Sequence, residues 1–144
     1  MKPNIKYTSA ISVALLLSFF IPWISWRFLK FSGYDLPPVI NSIYTTGRLT
    51  IDGIPIISMA YLLYLIPFLC VLSIIRDLTG LRLVPVTSEF IAGLVLGGVF
   101  YYYIDNVGNN FLYSLSIGYY LTIISSVLGL VFSVIQRNLK VQSY

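Results

Sequence analysis

One uncharged stretch constrains this chain more than any other feature. It covers Ile54–Ile75 and reads IPIISMAYLLYLIPFLCVLSII, with Asp52 before it and Arg76 and Asp77 after it. At 1.5 Å per residue, a helix of this length spans about 33 Å, which covers the roughly 30 Å hydrocarbon layer of a bilayer. The stretch therefore predicts a transmembrane helix.

Three other apolar stretches have the same character, so the sequence predicts an all-α membrane protein, a bundle of four transmembrane helices. Hydrophobic residues make up 58% of the chain and charged residues 10%, where an ordinary soluble domain carries about 25% charged residues. That is too little charge to cover a water-soluble globule. A single domain, residues 1–144, is expected, with spans at about 7–26, 54–75, 86–103 and 112–135.

The distribution of lysine and arginine predicts the orientation of these helices. Six such residues fall on the side that holds both termini, and three fall on the opposite side, all in the first loop. Because cytoplasmic loops are enriched in Lys and Arg, both termini are expected in the cytoplasm. Abundant Ile, Tyr, Ser and Asn with little Ala is typical of an AT-rich prokaryotic or viral genome. We expect a multi-pass protein of the prokaryotic cell (inner) membrane, with an internal membrane or a viral envelope as the alternatives that composition leaves open.

The first outer loop, residues 27–53, is the longest polar connection. Within it, Asp35 is expected to cap a short surface helix over Tyr34–Tyr44. The alternation of apolar and polar residues over Gly47–Ile54 predicts a short β-strand. Its partner would be Phe28–Phe31 or another subunit.

Small residues at four-residue spacing predict where two of the helices pack. Gly93 and Gly97 stand on one face of the third predicted helix, and Ser125 and Gly129 repeat the spacing in the fourth. Small side chains let two helix backbones approach closely in a membrane. We expect these two faces to meet.

Glu89 is the one acidic residue that lies within a predicted span. Ionisable groups inside a bilayer are costly and usually functional. Glu89 stands in the first turn of the third helix, where the helix dipole favours a carboxylate, and within reach of Arg82. The sequence favours a helix cap, or an ion pair between Arg82 and Glu89, at the membrane interface. A proton or ion relay is the alternative.

Aromatic and acidic side chains collect on the predicted outer side. Tyr and Trp dominate the residues that carry binding energy at interfaces, and both also suit the headgroup level of a membrane. These side chains are therefore the predicted partner or ligand face. Its members are Trp23, Trp26, Tyr34, Asp35, Tyr44, Tyr102, Asp105 and Tyr113.

Residues that carry catalytic or metal chemistry are few. The chain has no histidine and one cysteine, Cys70, which lies inside an apolar run. That excludes a Ser-His-Asp set, a Cys-His set and a disulfide. Asp35, Asp52 and Asp105 could meet around a hard cation, but a cap, a strand-end pair and a turn explain them more simply. We expect no enzyme, metal or cofactor, and scattered basic residues argue against nucleic acid.

The first outer loop carries a resemblance to a group of known proteins. PWISW followed by SGYDLP, with IGYYL at Ile117–Leu121, resembles small uncharacterised prokaryotic four-helix integral membrane proteins. The resemblance implies four helices and no assigned activity. A long first outer loop and a short second one are also similar to the layout of claudins. The claudin loop has a Gly-Leu-Trp segment and two cysteines, which this loop lacks, so no claudin residue is carried over.

Three functions fit these observations. The favoured one is a non-catalytic membrane subunit or scaffold that associates through its small-residue helix faces and its Tyr- and Trp-rich outer face. It would contact lipids and form a homo-oligomer or join a larger membrane complex. The first alternative is an oligomeric channel or carrier with Thr122, Ser125 and Ser126 on a shared axis. The second alternative is a membrane enzyme that acts on lipid or glycan through the outer aspartates.

Overall fold

Helices account for most of the chain that the structure describes. The structure is a computed structural model, and it describes residues 7–26, 28–47, 60–80, 84–85, 87–108 and 113–141. Within these residues it has five α-helices and three strands. In chain order they are α1 (Tyr7–Phe20), β1 (Pro22–Trp26), β2 (Leu29–Ser32), α2 (Leu36–Gly47), α3 (Leu65–Thr79), α4 (Ser88–Gly108), β3 (Tyr113–Leu115) and α5 (Ile117–Val141).

Helices α1, α3, α4 and α5 form a four-membered ring. Helix α1 packs against α3 and α5, and α4 packs against the same two helices from the opposite side. Ser12 near the start of α1 contacts Glu89 near the start of α4, whereas Phe100 and Tyr119 meet at the other end. We call these two ends of the bundle the Glu89 end and the sheet end.

A small antiparallel sheet covers one end of the bundle. Its strand order is β2-β1-β3, so β1 lies in the centre, with Ser25 opposite Lys30 on one side and Ser114 on the other. This corrects the first and fourth predicted spans, whose segments 22–26 and 113–115 are strands. Proline lacks the amide hydrogen that a continuing helix needs, and α1 ends just before Pro22.

The other two predicted spans are helical with shifted ends. Helix α4 continues to Gly108, beyond the predicted end at residue 103. The second span continues to Thr79, and its predicted first residues, 54–59, lie outside the described part of the chain. By length and composition, Leu62–Thr79 and Ile117–Gln136 could each cross a membrane. The apolar helices Tyr7–Phe20 and Ser88–Tyr102 are shorter.

Helix α2 corresponds to the surface helix expected at 34–44. Asp35 precedes it, but the carboxylate does not cap it: Oδ2 accepts from Ser32 N (3.2 Å) and Ser32 Oγ (2.6 Å). The reason lies in Pro37 and Pro38, which occupy the second and third helical positions and have no N–H to donate. The predicted strand beyond Gly47 lies outside the described residues, and its suggested partner, Phe28–Phe31, overlaps β2, which pairs with β1.

Gly80 ends α3 with a left-handed backbone (φ 77°), and its amide donates to Arg76 O at 2.8 Å. A side chain at this φ is strained although the space around it is open. We expect Gly80→Ala to lower the free energy of unfolding by about 1 kcal/mol. Unfolding in detergent followed by circular dichroism measures this, and an unchanged or more stable variant would contradict it.

Candidate functional site

The bundle encloses polar side chains beside its apolar core and has large apolar side chains on its surface. Its buried polar groups include Glu89 of α4, Arg76 of α3 and several hydroxyls from α1, α3 and α5. Large aliphatic side chains such as Leu65, Val95 and Val131 are exposed. Buried polar groups need hydrogen-bond partners, so the contacts among them define the candidate site. The buried polar residues are Thr8, Ser12, Ser18, Ser73, Arg76, Glu89, Thr122, Ser125, Ser126 and Ser133.

The Glu89 carboxylate is fully buried, with 0% of its surface exposed. Its Oε1 accepts from Ser73 Oγ at 2.6 Å and lies 3.1 Å from Ser12 Oγ. Its Oε2 lies 3.3 Å from Ser88 Oγ. The carboxylate therefore joins α1, α3 and α4 through hydroxyl groups.

Arg76 is linked to this carboxylate through Ser73. Its Nη2 donates to Ser73 Oγ at 2.7 Å, and Nη1 donates to Val84 O at 3.1 Å. Its Nε pairs with Asp77 Oδ1 at 2.9 Å, and Asp77 Oδ2 accepts from Ser9 Oγ at 2.5 Å. We call the connected set the Glu89 network: Ser9, Ser12, Ser73, Arg76, Asp77, Ser88 and Glu89.

Of the Glu89 network, the sequence pointed to Glu89 but not to its partners. The predicted ion pair between Arg82 and Glu89 is outside the described part of the chain, since residue 82 is not in it. Glu89 itself is enclosed rather than placed at an open interface. A signal for Ser73 and Arg76 was available, because residues three apart share a helix face. In chemical terms the network cross-links helices, since its hydrogen bonds join three of them.

Helices α4 and α5 meet along the predicted small-residue faces. A side-chain carbon at Gly93 would collide with Ser126 Oγ, and one at Gly129 would collide with the Phe90 ring. A side-chain carbon added at Gly97 would lie 2.7 Å from the Ile123 side chain. Ser125 is buried in α5, but the residue directly opposite Gly93 is its neighbour Ser126.

The hydroxyls considered for a channel point into a single bundle. Thr122 Oγ1 lies 2.8 Å from Ser18 Oγ of α1. The Thr122 hydroxyl also donates to Gly118 O at 2.9 Å. Ser126 is fully buried against Gly93 of α4. These contacts place both hydroxyls between helices of one chain.

Trp23 belongs to the core of the sheet end, which corrects its assignment to a partner face. Its side chain is 0% exposed, and Nε1 donates to Ser18 O at 3.1 Å. Its ring packs edge-on against Phe19, Phe100 and Tyr119 at centroid distances of 5.6, 5.5 and 5.9 Å. The sequence suggested a headgroup position because Trp23 stands near the outer end of the predicted span 7–26, but in the structure this segment is β1 and the ring is buried.

The other predicted face residues are distributed around the sheet end. Tyr34 and Tyr102 are exposed, and Tyr34 O accepts from Tyr64 Oη at 2.8 Å. Asp35 is bound to Ser32 as described above. The remaining four lie in β1, α2, α4 and β3, and their side chains are outside the described residues: Trp26, Tyr44, Asp105 and Tyr113.

Comparisons with known proteins return nothing. No family model, no curated protein and no solved structure matches this chain. Its function is therefore argued from its own geometry.

The described residues show no metal-binding cluster. No three of their Cys, Asp or Glu side chains form a group that could hold a metal ion. Of the three outer aspartates, Asp52 lies outside these residues, and so does the side chain of Asp105.

Phe28 is a further exposed residue, and it is not among the predicted face residues. It stands between β1 and β2, and 99% of its side-chain surface is exposed. Leu29 and Lys30 beside it are also exposed. The sequence placed Phe28 at the start of the first outer loop, but β1 was hidden inside the predicted span 7–26, so the pairing that makes this position a turn was not predicted.

Proposed function

We propose that this chain is a multi-pass integral membrane protein in which α1, α3, α4 and α5 cross the membrane. Both termini would then lie in the cytoplasm, and the sheet end would face outward, in line with the Lys and Arg bias. The single observation that carries the proposal is the inverted polarity of the bundle. Charged and hydroxyl groups lie inside it, and Leu, Ile, Val and Phe side chains lie on its surface.

The inverted polarity is favourable in lipid and unfavourable in water. Leaving one large aliphatic or aromatic side chain in water forgoes about 1.5–3 kcal/mol that its burial would give. Many such side chains are exposed on all four helices. Hydroxyl contacts between helices, such as Ser18 with Thr122, are typical of membrane bundles, where no hydrophobic effect drives helices together.

Within this arrangement we propose a non-catalytic subunit or scaffold whose sheet end binds a partner. The sheet end supports this function because a rigid aromatic core around Trp23 holds exposed side chains on β2 and at the start of α2. Its partners would be membrane lipids, further copies of the chain or other membrane subunits. A multi-pass protein of the prokaryotic inner membrane is also what the resemblance to small prokaryotic four-helix proteins implies.

The two alternatives have less support. A channel built on Thr122, Ser125 and Ser126 would need these groups on an axis shared between protomers, but Thr122 and Ser126 contact helices of their own chain. An enzyme built on outer aspartates would need them to converge, and the described Asp35 carboxylate is held by its neighbour Ser32.

The topology makes a direct prediction for cysteine labelling. In a Cys70→Ala background, a cysteine at exposed Pro85 should react with an impermeant maleimide only after the membrane is opened. A cysteine at exposed Ser114 should react in intact cells, because α4 separates the two positions. Labelling of both positions from the same side would contradict four spans.

The proposed scaffold function is tested by the mass of the complex. Extraction from native membrane in mild detergent, followed by native mass spectrometry, should give an assembly that contains a defined partner or several copies of the chain. A monomer with bound lipid only would overturn the scaffold function. A homo-oligomer that conducts ions in liposomes would support the channel alternative.

A further inference from the structure

The Glu89 network holds one charge that its own members do not balance. When all three groups are ionised, Glu89 and Asp77 are negative and Arg76 is positive. The Arg76 guanidinium contacts Asp77 directly at 2.9 Å, but it is linked to Glu89 only through the Ser73 hydroxyl. Among the described residues, Glu89 therefore has no positive group in direct contact. An ionised carboxylate enclosed among packed helices is costly without one, and binding one proton would make the network neutral.

Hydroxyl groups and one thiol make up the other polar surroundings described for Glu89. The thiol is Cys70 of α3, which interacts electrostatically with Glu89. The described side chains of α1 and α5 include no carboxyl, amino or guanidinium group, and Glu89 is the one such group among those of α4. Within the same described residues, no further carboxylate joins Glu89 in a metal-binding cluster. The ligand that matches one buried carboxylate among hydroxyls is a proton.

Two of the hydroxyls beside Glu89 have a second acceptor. Ser12 Oγ lies 3.1 Å from Glu89 Oε1 and 3.0 Å from Thr8 O. Ser88 Oγ lies 3.3 Å from Glu89 Oε2 and 2.9 Å from Pro85 O. A hydroxyl has one proton to donate, so each serine donates either to the carboxylate or to a backbone carbonyl, and not to both.

This choice of acceptor lets the site accommodate both protonation states. When Glu89 is ionised, all three neighbouring hydroxyls can donate to it. When Oε2 carries a proton, that O–H donates to Ser88 Oγ, and the serine turns its own proton to the backbone carbonyl. The Ser73 oxygen accepts from Arg76 Nη2, so the Ser73 proton remains available to Oε1 in both states. Each of these donors and acceptors therefore keeps a partner whether or not the proton is bound.

The two carboxylate oxygens differ in their distance from water. Glu89 and Ser12 are fully buried, whereas Ser88 is half-buried and Pro85 is exposed. Oε2 is the oxygen that contacts Ser88, so it lies on the side of the solvent, and Oε1 lies on the side of the interior. A proton would reach the carboxylate beside Ser88.

We propose that Glu89 is a reversible proton-binding site that fills from the Glu89 end of the bundle. One proton from water binds to Oε2, and no other member of the Glu89 network changes its charge. The site goes beyond the proposed scaffold function and does not depend on it, because the proposed partner surface lies at the sheet end. Loss of the partner interaction would leave the proton site standing, and the reverse also holds.

Glu89 is the only glutamate in the chain, which allows a test without any substitution. The full chain, labelled with carbon-13 at the glutamate side-chain carboxyl and placed in lipid vesicles, should give one carboxyl signal in solid-state NMR. As the pH is changed within the range where the chain stays folded, this signal should pass between the positions of the ionised and the protonated acid. A signal that stays at either position over that range would overturn the proposal.

Two serine variants of the labelled chain test the hydrogen bonds of the site. Ser73→Ala removes a donor to the ionised carboxylate and its link to Arg76, so the midpoint of the titration should move to higher pH by about one unit or more. Ser133→Ala is the matched control, because Ser133 is also buried and its hydroxyl bonds to Gly129 O at 2.7 Å within α5. Its midpoint should equal that of the parent chain. Equal midpoints for the two variants would overturn the proposed arrangement of donors around the proton.

Discussion

Replacing Glu89 with alanine is expected to lower the free energy of unfolding by about 2–4 kcal/mol, because the buried Ser73 hydroxyl loses its acceptor and the removed side chain leaves a cavity. The substitution takes away the acceptor of the Ser73 hydroxyl and leaves Arg76 without the carboxylate to which Ser73 connects it. Both groups remain buried, so water does not replace the lost contacts. Unfolding in mixed mild and denaturing detergent, followed by circular dichroism, measures the change.

Two matched variants make this result specific to the network. Ser88→Ala removes a hydroxyl that is only half-buried, with its 3.3 Å contact to Glu89 Oε2 and its 2.9 Å bond to Pro85 O. Water can replace these contacts, so the free energy of unfolding should fall by less than about 1 kcal/mol. Glu89→Gln keeps an acceptor oxygen and should fall between the two. If Glu89→Ala and Ser88→Ala are equally stable, the Glu89 network does not hold the helices together.

The second large effect is expected from Gly118→Ala at the start of α5. A side-chain carbon at this position would collide with Ile21 O and lie 2.7 Å from Pro22 O. Both atoms belong to the backbone that leads from α1 into β1, so relief requires the sheet to move away from the bundle. We expect a loss of about 3 kcal/mol or more in unfolding free energy, at the upper end of what overpacking costs.

Gly98→Ala is the matched control for this prediction. Gly98 lies within α4, and nothing stands within 4 Å of the added carbon. Because alanine favours helix over glycine by about 1 kcal/mol, this variant should be slightly more stable than the parent chain. The close contact of α5 with the α1–β1 connection would be refuted if Gly118→Ala were also stabilising.

The long helices could be predicted from sequence because their signal is local. An apolar run long enough to cross a bilayer marks α3 and most of α5 without any knowledge of their neighbours. The strands could not be predicted from the sequence, because β1 is as apolar as the helix before it. Its pairing partner Ser114 is 89 residues from Ser25, and no local pattern carries that information.

Of the candidate site, the sequence predicted the acidic residue Glu89 but not the residues that surround it. Glu89 was identified from its charge near an apolar span. Its enclosure depends on Ser12 and Ser73, which come from two other helices and become neighbours only after packing. Similarly, the spacing of Ser125 and Gly129 located the α4–α5 contact, but choosing Ser126 over Ser125 opposite Gly93 requires the rotation of α5 about its axis.

The central position of β1 has a consequence for the order of biogenesis. Its first partner, β2, follows within a few residues, but its second, β3, is made only after α3 and α4. A nascent chain that stops before residue 113 therefore leaves one edge of β1 with unpaired amide and carbonyl groups, which favour aggregation. Strand β3 completes this edge just before the last helix is made. An exposed edge of β1 therefore marks a chain as unfinished to the chaperones and proteases of its compartment.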